Sequence, residues 1–132
     1  MSNPAKQKGT SFETLCVNFL KAKGFLNVFR PALTGKGDTG DINGIEVLTQ
    51  PHCGPANVGK KAIIQCKNQR TLKLPEWMRA TKEQAARVAP DTLGILVVKR
   101  NGAGAKAVGQ NYAIMELEDL ATLLLEAGYG SS

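Results

Sequence analysis

The chain has 132 residues, 42% of them hydrophobic and 21% charged, which is the make-up of one globular domain with room for one real core. It contains no run of about 18 apolar residues, so a membrane-spanning helix is excluded, and Met1-Ser2-Asn3-Pro4-Ala5-Lys6 lacks the apolar centre of a signal peptide. A net charge of +6 and a pI near 9.4 favour a polyanionic partner, nucleic acid before an acidic membrane.

Taken in order, residues 1–9 read as a flexible polar tail. Thr10 and Ser11 then offer helix N-caps, Thr10-x-x-Glu13 fits a capping box, and Phe12, Leu15, Cys16, Phe19 and Leu20 follow at helical spacing until Gly24 closes the helix. Residues 26–33 read as a strand from which Arg30 projects. A glycine-rich turn over 34–40 leads into a second strand, 41–48, and a loop with two prolines and two glycines over 50–59 joins it to a third, 60–67. Residues 68–74 are polar and basic, and predict an exposed loop. Pro75 suits the first turn of a helix ending near Ala89, with Trp77, Met78, Thr81, Ala85 and Val88 as its apolar stripe. The continuous apolar run 93–98 predicts a strand covered on both faces. After a Gly/Lys/Ala loop, residues 112–115 form a last strand and 116–127 a helix with Leu117, Leu120 and Leu124 inside. The order α-β-β-β-α-β-β-α describes a mixed sheet flanked by helices, one domain over 10–128 with a second short tail at 129–132.

Three cysteines at unrelated spacings make neither a disulfide framework nor a zinc site, and a reducing cytoplasm is the simplest location. His52-Cys53 resembles half a metal site but has no partner pair at zinc spacing, so it reads as a loop. Gly35-x-Gly37-x-x-Gly40 matches a dinucleotide fingerprint only as a string: Asp41-Ile42-Asn43-Gly44-Ile45 after it reads as a strand, whereas the fingerprint needs a helix there. Glycine in that turn would instead let the backbone approach a nucleic-acid phosphate, with Lys36 beside it.

The chemically unusual stretch is Ala62-Ile63-Ile64-Gln65-Cys66-Lys67. Strand alternation puts Gln65 and Lys67 on one face and Cys66 on the other, where it reads as apolar filler. An amide and an ammonium on a core face each need a partner. Phosphodiester cleavage calls for a metal-activated nucleophile and for positive charge at the developing phosphorane. Magnesium accepts hard oxygen ligands and keeps several waters, so one or two carboxylates and an amide oxygen can suffice. Asp41, Gln65 and Lys67 supply these types, and Glu13 adds a second carboxylate from the first helix. Glu46, five residues after Asp41, points to the opposite face of its strand.

The array Glu13, Gly40-Asp41-Ile42 and Gln65-Cys66-Lys67 resembles the PD-(D/E)xK nuclease superfamily. It is most similar to the Mrr-type endonucleases, which use Gln-x-Lys, and to the archaeal-type Holliday junction resolvases. The resemblance implies a restriction-endonuclease-like αβββαβ core over residues 10–99. It makes Asp41 the metal-binding aspartate, Gln65 the residue that is usually Glu, Lys67 the catalytic lysine and Glu13 the first-helix glutamate. Ser11 becomes a phosphate contact, and Gln84 is the candidate from the following helix. Two positions depart from the pattern: Gln65 is neutral, and Gly40 stands where proline usually precedes the aspartate.

The expected activity is magnesium-dependent cleavage of branched DNA, with a Holliday junction as substrate and manganese able to substitute. A chain of this size has no room for a separate recognition domain, so it would read backbone and shape. Arg30, Lys36, Lys60, Arg70, Lys73, Lys99 and Arg100 would hold the DNA. Symmetric cutting of two strands implies a homodimer, joined through an exposed Trp77, Met78 or the last helix. The alternatives are an Mrr-like restriction or repair nuclease acting on duplex DNA and a nuclease-fold binding module that does not cleave, which the neutral Gln65 keeps open.

Overall fold

The computed structural model of the chain describes residues 4–32, 39–47 and 59–130, the first eight of these as backbone only. The first helix, α1, spans Pro4–Ala22 and so starts two turns earlier than the cap residues predict. Pro4 suits a first helical turn, and Ala5, Lys6, Gln7 and Lys8 are good helix formers, so the helix has no need of a cap at Thr10. The Thr10–Glu13 capping box is therefore not formed, because Thr10 lies inside the helix. Gly24 does close it: at φ +113° it lets the Phe25 N–H reach back to the Leu20 carbonyl at 3.0 Å.

The strand expected over 26–33 reduces to one antiparallel bridge between Phe29 and Asn43, made by both backbone hydrogen bonds (2.9 and 3.0 Å). Pro31 has no N–H with which to extend the ladder. On the other side, the backbone of Asn27 crowds Gly44, where a Cβ would sit 2.1 Å from the Asn27 carbonyl oxygen. Gly44 holds φ +88° within a register irregularity between Ile42 and Ile45.

The sheet has four strands in the order β1 (Ile42–Glu46), β2 (Lys61–Lys67), β3 (Leu93–Val98), β4 (Tyr112–Ile114). β1 runs antiparallel to β2, β2 parallel to β3, and β3 antiparallel to β4. The parallel pair requires a crossover, which is α2 (Leu74–Val88). The sheet is thus mixed and flanked by helices, as the sequence order implies. A short 3-10 helix, Ala105–Gln110, interrupts the loop before β4.

Alternation along β2 divides the core in two. On one face Ile64 and Cys66 pack with Ile42 and Val28 against Phe12, Cys16 and Val17 of α1. On the other, Trp77 of α2 packs on Leu96 and Val98, with Leu74, Met78 and Ile114 around them. Gly94 allows α2 to lie close, since a Cβ there would stand 3.1 Å from the Thr81 carbonyl oxygen. Trp77 is buried, which corrects its expected place in an exposed dimer contact.

The last helix, α3 (Leu117–Glu126), departs furthest from expectation. Leu117, Leu120 and Leu124 are exposed, not inside. The two sheet faces are already taken by α1 and α2, and α3 follows the edge strand. Ion pairs tie it and its N-cap residue Glu116 to the rest of the chain: Lys82 to Asp119 (2.6 Å) and Glu116 (3.1 Å), and Lys60 to Glu126 (3.8 Å). A cavity of about 700 Å³ lies between α3 and the start of β2 and β3, lined by Ile45, Ala62, Leu93, Ile95 and Leu123 among others.

Candidate functional site

Strand direction decides which residues meet. β2 and β3 are parallel and end together at Lys67 and Val98, while antiparallel β1 begins at that same end. Asp41 precedes β1, Gln65 and Lys67 finish β2, and Lys99 and Arg100 follow β3. The Lys99 N–H donates to the Lys67 carbonyl at 2.9 Å, which joins the last two groups. Arg70 and Lys73 lie exposed in the loop that leaves this end. The carboxyl ends of parallel strands in α/β sheets are where ligands bind.

Asp41 is held by its neighbour strand twice. Its N–H donates to the Ile64 carbonyl at 2.9 Å, and its Oδ2 accepts the Cys66 N–H at 2.7 Å. The carboxylate stands in for the next rung of the β1–β2 ladder, at Cys66, the residue between Gln65 and Lys67 in the chain. Gly40 before it has φ +97°, a conformation closed to proline, whose ring fixes φ near −65°. A Cβ at position 40 would also meet Ile63 Cδ1 at 2.9 Å. The missing proline thus has a local backbone cause. A strand, not a helix, follows Gly40, which disposes of the dinucleotide fingerprint.

Gln65 is 8% exposed, and its Oε1 has no hydrogen-bond partner among the described residues. An orphaned buried amide oxygen costs on the order of 1–3 kcal/mol, so its retention on a core strand marks a position that something polar would satisfy. Gln84 is likewise buried, on the sheet side of α2. Lys67 extends over α2, with its Nζ 5.5 Å from the centre of the Trp77 ring. A buried indole beneath an ammonium attracts it through the ring quadrupole and limits where it can go. Sequence reasoning missed this partnership. The only trace of it is that Trp77 stands in the first turn of the helix that follows the lysine strand.

Glu13 does not stand free. Its Oε2 accepts Arg30 Nε at 3.0 Å, and the same guanidinium donates to the Thr14 hydroxyl at 3.3 Å. Both carboxylates nonetheless act on one group. The Cys66 thiol is pushed above the ordinary thiol range by its hydrogen bond to Cys16, by burial and by the charges of Asp41 and Glu13. The same hydrogen bond pulls Cys16 down.

Lys60, expected to hold DNA, lies elsewhere, and so does Glu46, which the alternation already turns away from the site. Glu46 pairs in register with Lys61, and Lys60 reaches Glu126, so both sit at the opposite end of β2 from Lys67, about 20 Å away at strand rise. Arg100 is at the right end, but its guanidinium turns back to Gln110 Oε1 at 2.8 Å. Asn111, also unforeseen, accepts the Arg100 N–H at 2.7 Å and donates to the Val108 carbonyl at 2.9 Å, fixing the loop that carries Lys99 and Arg100. Lys36, His52, Cys53 and the side chain of Ser11 lie outside the described residues. Among the described residues no group of three or more His, Cys, Asp or Glu is gathered to hold a metal ion.

Set against family models, curated proteins and solved structures, the chain matches none of them.

Proposed function

We propose that this protein is a magnesium-dependent, structure-selective DNA endonuclease that cleaves four-way junctions. The observation that carries the reading is the sheet end itself: the Asp41 carboxylate hydrogen-bonded to the Cys66 N–H, whose chain neighbours are Gln65 and Lys67, with the Gln65 Oε1 buried and unmatched among the described residues. The strand directions support a restriction-endonuclease-like core: a bridge and β1, then β2 antiparallel to it, a helical crossover, then a parallel strand.

Asp41 and Gln65 fit a hard divalent cation, since both offer oxygen, and the orphaned Oε1 of Gln65 would gain the partner it lacks. Glu13 is the further carboxylate of the set. A cation held there supplies Lewis-acid chemistry at the phosphate. Lys67 contributes positive charge where the phosphorane develops, and Trp77 keeps that charge in place. Arg70, Lys73 and Lys99 ring the same end and would bind the DNA backbone without reading bases. Lys60, tied to Glu126, is not part of that interface.

The test incubates the protein with a four-way junction and a matched linear duplex, with magnesium and with EDTA. Paired symmetric nicks in the junction alone, lost in EDTA, are the expected result. Lys67→Ala should lower the cleavage rate by roughly 10²-fold or more while leaving junction binding within a few-fold. Equal cutting of both DNAs would make it a general nuclease. Binding without cutting by the parent would sink the enzymatic reading and leave a DNA-binding module.

A further inference from the structure

Cys16 on α1 and Cys66 on β2 form a chemical pair that cleavage does not use. They are 6% and 9% exposed, in one apolar cluster with Phe12, Val17, Ile42 and Ile64. The two thiols share a hydrogen bond across the α1–β2 contact, the Cys66 S–H donating to the Cys16 sulfur. The two side chains belong to one buried cluster where α1 packs on β2, and a disulfide between them requires the sulfurs to close to roughly 2.05 Å. The position of Cys66 adds a consequence. Its N–H is the donor that holds the Asp41 Oδ2 at 2.7 Å, and Gln65 and Lys67 are its chain neighbours.

We propose that Cys16 and Cys66 form a reversible disulfide that switches the site at the end of β2. The regulatory half rests on the cleavage reading above; the covalent half does not. The oxidant is a hydroperoxide. One thiol takes an oxygen atom from hydrogen peroxide, giving a sulfenic acid and one water. The second sulfur then displaces that hydroxyl, which leaves with the second thiol proton as another water. The balance is two thiols and one peroxide to one disulfide and two waters, and a dithiol reductant reverses it. Contraction of the sulfur pair draws the Cys66 backbone toward α1, away from the position that holds Asp41 and aims Lys67. Displacements near 1 Å in such a site are worth about 10²-fold in rate.

The test uses the full chain carrying Cys53→Ser, so that no third thiol competes. Reduced protein is treated with hydrogen peroxide, then denatured, alkylated and peptide-mapped, and junction cleavage is followed in parallel. The expected result is a Cys16–Cys66 linked peptide pair, a fall in cleavage of tenfold or more, and recovery of both with dithiothreitol. Cys16→Ala should give no linked pair and keep its cleavage through the peroxide treatment; Cys16→Val serves if the alanine variant folds poorly. Alkylation of both cysteines after peroxide, or sulfinic acid without a link, overturns the disulfide. A linked pair with cleavage unchanged overturns the switch. A linked pair in a protein that cleaves no DNA even when reduced overturns the cleavage reading and the switch, while the disulfide stands.

Discussion

Two helices follow strands in this chain, and each does the opposite of what its composition suggests. α2 has the more polar sequence, yet it buries Trp77, Thr81, Gln84 and Ala85. α3 carries five leucines in ten residues, and none of its described residues is buried. The difference is topological. α2 joins two parallel strands and must cross a sheet face, whereas α3 leaves the edge strand after both faces are filled. Apolar content says that a helix would gain from burial; only the connection decides whether a surface is left for it.

The largest effect that follows is at Trp77. Trp77→Ala should cost about 3–5 kcal/mol by urea unfolding, and a cost under about 1 kcal/mol would deny that α2 is the anchored helix. The next concerns Lys82, which ties α2 to α3 through Asp119 and Glu116. Lys82→Ala should cost no more than about 1 kcal/mol, because the side chain is 36% exposed and salt screens such pairs. The hydrogen bond to Asp119, with the Glu116 contact behind it, raises the Lys82 pKa above 10.5. A raised lysine stabilises the fold fully below its unfolded value, and that contribution is lost as pH climbs through the raised one. The difference between parent and Lys82→Ala should therefore persist at neutral pH and vanish in strong alkali or in molar salt. The smallest effect is at Leu117, which is 79% exposed. Leu117→Lys should move stability by no more than about 0.5 kcal/mol; a larger loss by thermal unfolding would show that α3 is covered in solution.

The same contrast runs through the candidate site. Alternation in Gln65-Cys66-Lys67 was legible because a strand's period of two is a local property, and the sheet does set Cys66 against α1 and Lys67 against α2. Asp41 could be matched to that strand from residue types and order alone. Lys60 could not be placed correctly, since six residues of strand separate it from Lys67 and charge carries no sense of direction. Nor could the pairings of Glu13 with Arg30, or of Lys67 with Trp77, be read from composition. Each joins side chains on elements that meet only after the crossover is made.

What the sequence by itself determined is the set of local choices: the alternation of β2, the apolar run of β3, the glycine that closes α1, the proline that opens α2, and the order of elements. These follow from steric and hydrogen-bonding rules acting over two to four residues. Only the tertiary structure decided which strand end gathers Asp41, Gln65, Lys67 and Lys99, that Cys16 faces Cys66, and that the leucines of α3 stay outside. Those outcomes depend on the directions of paired strands and on which sheet faces were already covered, and neither is set by any short stretch of chain.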